Sequence, residues 1–406
     1  MKYLILLSLI IVMSNCFSQS DINEYLNDVK IDFNKSSILP ESIISENDII
    51  LIGETHGFRD NYTIAYQFIS EYKMKTNFEY VLAEIDWASA QELNSILINS
   101  DTLKLKAYID DSKGSPAWCK ERYDFYLKLM HLNQSTEKKI KYVGVDIPSG
   151  GIKLALLQIK NIQSEYNIDT QFLDSLIERP RLNDSVINHL KHLLTTSSNS
   201  KFDTKDLFEY KYQINNIIQY SIASKTTTMK RWDQVRDSCM FENYKLLEKH
   251  LNLYNQKMIG IWGSSHVYQK QSEGISWFAS KLKKDLNKKI YSYRIFYFDS
   301  KCMLHSNWLP GILKVFKSKK KMYLETKLQN DDSFATGKKK GIKDLLKSTS
   351  KKSITFFDLT KSNSPYKINP LLVINGNVNW TTTDYFQTAI VVRNSSATEP
   401  LGENKK

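Results

Sequence analysis

The chain has 406 residues and a formal net charge of +12, with 23 tyrosines and 18 phenylalanines but only 14 glycines and 8 prolines. This length can bury a sizeable core as one large domain or two, and the aromatic-rich composition excludes a disordered protein. The charge is concentrated in residues 314–352, which contain 13 lysines and no arginine. We interpret them as a solvated surface, or as one that attracts anionic envelope polymers. A nucleic-acid site is disfavoured, because such sites favour arginine among aromatic residues.

Residues 1–19 predict a secretory signal peptide. A charged start precedes an apolar stretch at residues 3–13 that is too short to cross a bilayer, and small residues follow. We therefore expect an exported protein, periplasmic or extracellular, cleaved near Ser18 or Gln19. A lipid anchor on Cys16 is the alternative. No later apolar run is long enough for a membrane span.

The remaining pattern predicts an α/β fold with a central, largely parallel β-sheet flanked by helices, because short apolar runs alternate with helical periodicity. After a helical lead-in at residues 21–45, strands are expected at 48–53, 79–84, 140–145, 257–262, 290–298, 353–358 and 388–392. Helices are expected from residue 59 or 60 to 73 and at 87–97, 116–132, 152–165, 204–222, 230–250 and 275–286.

One domain is expected to span residues 20–393. Within it, residues from about 150 to 255 carry little strand signal, and we interpret them as a helical insertion that covers the carboxyl-end rim of the sheet. Residues 394–406 are expected to form a polar, frayed tail.

Four of the predicted strands run into ionisable side chains. The first runs into Glu54 and His56, the second into Glu84, the third into Asp146 and the fourth into His266. Because ligands bind outside the carboxyl ends of parallel strands, we expect these five residues to lie on one rim, with the two histidines in one cleft.

The motif at residues 53–57, Gly-Glu-Thr-His-Gly, is the strongest local signal. A carboxylate two residues from a histidine can orient the ring and raise its basicity, as a general base requires. The simpler interpretation is that Glu54 caps the next helix and His56 is an ordinary loop histidine.

The other candidates also have two interpretations each. Asp146 either anchors a turn through backbone amides or holds His56 or His266 in one tautomer. Arg236, near the start of the helix before the fourth strand, either reaches a substrate carbonyl or phosphate or forms a surface charge pair.

Several familiar catalytic motifs are absent from the sequence: the GxSxG elbow, the HExxH helix, the P-loop and the GxGxxG loop. Serine hydrolases of the elbow type, zincins, nucleotide kinases and dinucleotide enzymes are therefore poorly supported. Cys119, Cys239 and Cys302 lie in no spacing that suggests a zinc site.

The motifs resemble those of the erythromycin esterase family in order and spacing. The matching segments are Gly53-Glu54-Thr55-His56-Gly57, Leu82-Ala83-Glu84, Gly144-Val145-Asp146-Ile147-Pro148, Arg236-Asp237 and Gly263-Ser264-Ser265-His266. The resemblance covers roughly residues 45–300 and extends to the fold of ChaN-like haem-binding lipoproteins, which begin with a similar element.

The resemblance implies an α/β fold with a helical segment over the cleft, and hydrolysis of an ester or lactone by activated water without a covalent serine. It implies that His56 is the general base, that Glu54 and Glu84 position it and the water, and that His266 completes the cleft.

Three positions depart from the family pattern. One residue, instead of two, separates the glutamate and histidine of the first motif, and Gly263 replaces the first histidine of the family's His-Asn-x-His element. Ala65 falls where the family has an arginine, and Arg59 lies close by. These departures bear on macrolide-esterase activity more than on the fold.

We therefore expect an exported hydrolase that cleaves an ester, lactone or related acyl bond with His56, Glu54 and Glu84. One alternative is a haem- or ligand-binding envelope protein of the ChaN type, because tyrosine and histidine both ligate haem iron. Another is a metal-dependent hydrolase with His56, Glu84 and His266 as ligands. We expect a small-molecule substrate and no nucleic acid, and predict no cofactor, with metal and haem left open.

Overall fold

The structure is a computed structural model that describes residues 18–33, 37–197, 202–309, 321–333, 336, 341–372 and 380–404. Most of the predicted signal peptide, including Cys16, and much of the lysine-rich region lie outside the described residues. No helix in the described part of the chain is long and apolar enough to cross a membrane.

An eight-stranded sheet forms the centre of the molecule. The strands of the described residues are β1 (Lys30–Asp32), β2 (Ile49–Glu54), β3 (Tyr80–Asp86), β4 (Lys141–Asp146), β5 (Met258–Gly263), β6 (Ile290–Phe298), β7 (Cys302–His305), β8 (Tyr323–Thr326), β9 (Ile354–Asp358) and β10 (Thr388–Arg393). The order in the sheet is β1-β9-β10-β6-β2-β5-β3-β4, and β7 and β8 form a separate pair. The strands from β10 to β4 are parallel, whereas β9 is antiparallel to both of its neighbours.

Helices cover both faces of this sheet. Those of the described residues are α1 (Gln19–Val29), α2 (Glu41–Glu46), α3 (Asp60–Thr76), α4 (Trp87–Asn99), α5 (Thr102–Asp110), α6 (Lys120–Gln134), α7 (Lys153–Glu165), α8 (Gln171–Glu178), α9 (Asp184–Thr196), α10 (Thr204–Ser224), α11 (Met229–His250), α12 (Phe278–Asp285), α13 (Ile342–Lys347) and α14 (Thr382–Tyr385). The predicted α/β architecture is confirmed.

The core consists of two apolar layers, one on each face of the sheet. Along β2, Ile50 and Ile52 pack into one layer, and Ile49 and Leu51 pack into the other. Because successive residues of a strand point to opposite faces, a strand that is buried on both sides must be apolar throughout. This explains the uninterrupted apolar run before Glu54.

The first forty residues differ from the predicted helical lead-in. Helix α1 ends at Val29, the short strand β1 then pairs with β9 at the sheet edge, and α2 begins only at Glu41. A strand of three residues contains too little periodicity to be recognised in the sequence.

Five helices, α7 to α11, connect β4 to β5. Helices α7 to α10 have an apolar cluster of their own, which includes Leu156, Ile159 and Ile214. Helix α11 returns toward the sheet, and its buried Tyr244 and Leu247 belong to the core layer on that face. This return places the N-terminal half of α11 at the rim of the sheet.

The end of the chain is packed, contrary to the frayed tail that we expected. Residues 394–404, which we call the C-terminal strap, lie against the loop after β2. Thr398 N donates to the Gly57 carbonyl at 3.0 Å, Arg59 N donates to the Ser396 carbonyl at 2.9 Å, and Ala397 is buried. These contacts are mostly backbone hydrogen bonds, which leave no apolar pattern in a polar sequence.

Candidate active site

A crevice opens at the rim where β3 and β5 diverge. These neighbours pair only at Tyr80–Met258 and Val81–Ile259. Beyond that point Trp262 Nε1 donates to the Leu82 carbonyl at 2.9 Å. The crevice also marks the place where β5 inserts between two strands that follow one another in sequence, and such switch points are where ligands bind in parallel sheets.

Glu54 and His56 form a hydrogen-bonded pair at the end of β2. The Glu54 Oε1 atom contacts His56 Nδ1, so Nε2 is the ring nitrogen left for a ligand. Gly57 permits the turn that follows, because its φ is +90° and a Cβ atom there would lie 2.3 Å from the Met303 carbonyl oxygen.

A chain of hydrogen bonds fixes the orientation of Glu54. The amide of Asn61, on α3, donates to Glu54 Oε2 and, at 2.8 Å, to the Thr55 carbonyl. The hydroxyl of Tyr297, on β6, in turn donates to Asn61 Oδ1. Both carboxylate oxygens of Glu54 are therefore engaged, and Glu54 in turn fixes the orientation of the His56 ring through Nδ1.

The pair changes the titration of His56. The negative charge of Glu54, together with the hydrogen bond between them, raises the pKa of His56 to about 9 against the opposing effect of desolvation. The His56 side chain is 59% exposed, whereas that of Glu54 is 11% exposed, so water screens part of this attraction. His56 is consequently protonated in most molecules at neutral pH.

Arg236 joins the carboxylates of the next two strands. Its Nε donates to both oxygens of Asp146, at 3.0 and 3.1 Å, and its Nη2 donates to Glu84 Oε1 at 2.7 Å and to Asp146. Asp146 therefore binds an arginine and neither of the two histidines. Paired charges can be buried here because each one has a partner.

The pKa values of Glu84 and Asp146 are shifted in opposite directions. His266 and Arg236 hold the pKa of Glu84 well below its usual range, although burial opposes them. Burial raises the pKa of Asp146, and Arg236 offsets only part of that rise.

His266 is buried and bonded through both ring nitrogens. Its Nδ1 lies 2.9 Å from Asp237 Oδ1, and its Nε2 lies 3.4 Å from Glu84 Oε1 and 3.4 Å from Arg236 Nη1. Burial alone would lower its pKa, but Asp237 and Glu84 raise it to about 10. Both ring nitrogens of His266 are therefore engaged by neighbouring side chains.

Gly263 allows the close approach of these groups. Its backbone N–H donates to Glu84 Oε2 at 2.6 Å. A Cβ atom at this position would lie 3.3 Å from Glu84 Oε2 and 3.3 Å from His266 Cδ2, tighter than ordinary contacts. The glycine that departs from the family pattern thus fits this arrangement, where a histidine would displace Glu84 or His266.

Two adjoining cavities meet at these residues. The outer cavity, about 230 Å³, is lined by Thr55, Asp233, Ser264, Ser265, His266 and Trp277. The inner cavity, about 300 Å³, is lined mainly by aromatic and aliphatic side chains below the rim. Glu54, His56, Glu84 and Arg236 line both cavities, so they stand at the junction.

Arg59 lies outside both cavities. It pairs with Glu121 at 3.0 Å and with Glu399 of the C-terminal strap at 2.6 Å. Arg59 therefore links the loop after β2 to α6 and to the C-terminal strap, apart from the other candidates.

The residues considered as metal ligands do not form a ligand set. In the described part of the chain, no group of three His, Cys, Asp or Glu side chains is arranged to hold a metal ion. Glu84 Oε1 accepts from Arg236 Nη2 at 2.7 Å, and His266 Nδ1 is bonded to Asp237.

Sequence reasoning missed Asn61, Tyr297 and Arg122 at this site. Asp237 stood in a recognised motif, but its bond to His266 was not predicted. The available signal was positional: Asp237 directly follows Arg236, on the helix that returns to the rim. Asn61 lies seven residues after Glu54, in the first turn of α3, and no pattern distinguishes it from a solvent-exposed residue.

Solved structures share this fold over nearly the whole chain. A protein from Bacillus cereus has a TM-score of 0.65 at 16% identity, covering 96% of this chain and 100% of that one. A succinoglycan biosynthesis protein has a TM-score of 0.62 at 13% identity, covering 96% of this chain and 100% of that one. A mutant of the erythromycin esterase EreC in its open conformation has a TM-score of 0.60 at 12% identity, covering 92% of this chain and 97% of that one.

No protein-family model and no curated protein sequence matches the chain. At identities of 12–16% the similarity concerns the fold alone, and it extends over more than nine-tenths of the chain. The chain has an erythromycin esterase-like fold.

Proposed function

We propose that this protein hydrolyses an ester, lactone or related acyl bond, with water activated by the Glu54–His56 pair. The observation that carries the proposal is the position of His56. Its Nδ1 is bonded to a carboxylate that is itself fixed by Asn61, and its side chain stands exposed at the junction of two cavities. A general base needs this combination of an oriented ring and a reachable second nitrogen.

The reaction follows from this geometry. Neutral His56 takes a proton from water through Nε2, and the oxygen of that water attacks the acyl carbon. The carbonyl π electrons move to oxygen and return as the carbon–oxygen bond to the leaving group breaks. The His56 imidazolium then gives its proton to the departing alkoxide, and Glu54 stabilises the imidazolium in between. Such a positioned base contributes roughly 10²- to 10⁴-fold in rate.

Arg236 is our candidate for stabilising the negative oxygen. Its Nε and Nη2 bind carboxylates, whereas Nη1 has only a 3.4 Å contact with His266 Nε2. A fixed, charged donor at a partly buried site stabilises developing charge without rearrangement. Glu84 and Asp146 hold this guanidinium in place.

The remaining expectations belong to the same proposal. The predicted signal peptide supports export to the periplasm or medium, and water as the nucleophile requires no cofactor. One similar structure is an erythromycin esterase, which supports a small molecule with an ester or lactone bond as the substrate. Nucleic acid is not proposed as a partner.

Hydrolysis of a panel of esters and lactones in ¹⁸O-labelled water tests the reaction. We expect one labelled oxygen in the acid product and no acylated protein in the mass spectrum during turnover. An acylated protein would contradict attack by water. Elemental analysis and haemin titration of the same preparation test the alternatives: about one metal per chain with chelator-sensitive activity, or a Soret shift at stoichiometric haemin, would favour them instead.

A further inference from the structure

The inner cavity contains an arginine that forms no ion pair with any of the described residues. Arg122 lies on α6 and lines the cavity together with the side chains of Tyr62, Phe125, Tyr126 and Tyr142. The ion pairs formed by the described residues do not include it, whereas Arg236 binds two carboxylates and Arg59 binds two. We propose that Arg122 binds a carboxylate on the substrate. The natural substrate is then an acyl ester whose apolar or aromatic portion carries a carboxylate and lies in the inner cavity.

The hydrogen bonds of Arg122 leave donors available. Its Nη1 donates to Ser112 Oγ at 2.8 Å and to the Ala117 carbonyl at 3.5 Å. The Tyr126 hydroxyl also hydrogen-bonds the guanidinium, whereas Nε and Nη2 donate to no carboxylate or carbonyl among the described residues. Nε and Nη2 form the edge of a guanidinium that binds a carboxylate with two parallel hydrogen bonds.

The aromatic walls hold the guanidinium in place. Its central carbon lies 5.5 Å from the ring centroids of both Tyr108 and Tyr126. These rings attract the cation, but they do not neutralise it. A partly buried cation that lacks a counter-ion loses solvation, and a bound carboxylate would compensate for that loss.

Charge directs an acidic substrate toward Arg122 in preference to the catalytic groups. At the junction Glu54 and Glu84 are both negative and are already paired with His56 and Arg236. A substrate carboxylate placed among them would meet like charges. The Arg122 guanidinium, which forms no ion pair within the described part of the chain, offers the opposite field, and its single charge matches that of one carboxylate.

This inference rests on the proposed function for the reaction, but its test by binding does not. Benzoate and its neutral counterpart benzamide are titrated into the full protein by calorimetry. We expect benzoate to bind more tightly than benzamide to the wild type. Arg122→Gln should weaken benzoate binding by about 10- to 100-fold, the range for a charge-assisted hydrogen bond, and leave benzamide nearly unchanged. Arg179→Gln, at an exposed arginine that lines neither cavity, is the matched control and should change neither ligand.

Equal binding of benzoate and benzamide, no binding of benzoate, or undiminished benzoate binding to Arg122→Gln would overturn the proposal. If Arg122→Gln does not fold, Arg122→Lys replaces it, because lysine keeps the charge but lacks the two parallel donors; it should weaken benzoate binding, and an unchanged affinity would again contradict us.

A kinetic comparison connects this site to the reaction. The mono-4-nitrophenyl ester of glutaric acid is compared with 4-nitrophenyl valerate, which has the same chain length without the charge. Arg122→Gln should lower kcat/KM for the charged ester only. If neither ester is hydrolysed but benzoate binding depends on Arg122, the proposed function fails while the carboxylate site stands.

Discussion

The pH dependence of hydrolysis offers a sharp test of the Glu54–His56 pair. His56 must lose its proton before it can accept one from water, and Glu54 raises its pKa to about 9. With that pKa, roughly one molecule in a hundred carries neutral His56 at pH 7. We therefore expect kcat/KM to rise about tenfold per pH unit above pH 7 and to level off near pH 9. Since 59% of the His56 side chain is exposed and water screens the pair, screening moves the start of the plateau toward lower pH.

Glu54→Gln changes this profile in a defined direction. Removing the charge of Glu54 removes the main cause of the raised pKa, so the His56 pKa should return toward its ordinary value of 6.5. The plateau should then begin about two pH units lower, although its height should fall because the imidazolium has lost its carboxylate.

The assay is initial-rate hydrolysis from pH 5.5 to 10, with the rate of the buffer alone subtracted at each pH. A wild-type profile that falls through pH 9 would show that the protonated ring is the active form and would refute general-base catalysis. An inflection that Glu54→Gln does not move would refute the assignment of the raised pKa to this pair.

Three further results are expected from the geometry. Gly57→Ala should lower both the melting temperature and kcat/KM, because the positive φ costs roughly 1–2 kcal/mol and the new Cβ would lie 2.3 Å from a backbone oxygen; an unchanged melting temperature would contradict this. Asp237→Asn should lower the free energy of unfolding by roughly 3–5 kcal/mol at pH 6, because it breaks a buried pair with His266. Since the pKa of His266 is raised to about 10, that stabilisation is complete below pH 6.5 and is lost as the pH rises through 10. In urea unfolding, the difference in unfolding free energy between wild type and variant should therefore shrink at high pH. A difference that does not change with pH would contradict the pairing. Deleting residues 395–406 should lower kcat/KM, because the strap holds the Gly57 loop. Glu399→Ala, at an exposed position, should leave kcat/KM nearly unchanged. If the deletion and Glu399→Ala lower kcat/KM equally, the strap acts through its ion pairs and not through its backbone hydrogen bonds.

The parallel sheet explains why much of the rim was predictable. Strands β2, β3, β4 and β5 begin and end within two residues of their predicted limits. Once such strands are recognised, right-handed crossovers bring their carboxyl ends to one edge, so the proximity of Glu54, Glu84, Asp146 and His266 follows from topology.

The pairing of these groups could not be read from the sequence. Asp146 was considered as a partner for a histidine, yet it binds Arg236, and Asp237 binds His266 instead. Which partners meet depends on the rotation of α11 about its axis relative to the strand ends, and hydrophobic periodicity defines that rotation only coarsely.

Local sequence was equally uninformative about the packing of the strap and of Arg122. The strap is held by backbone hydrogen bonds, and Arg122 stands out because no carboxylate of the described residues pairs with it. Both features appear only when distant segments are placed together, because neither is encoded as a pattern within one element.

The most direct measurement of the central claim is kcat/KM for His56→Asn and for His131→Asn at pH 9. His131 is exposed on α6 and lines neither cavity, so it controls for the loss of a histidine as such. We predict that His131→Asn retains wild-type kcat/KM, while His56→Asn, folded as judged by circular dichroism, loses at least about 10²-fold. A folded His56→Asn with wild-type turnover would contradict the assignment of His56 as the base.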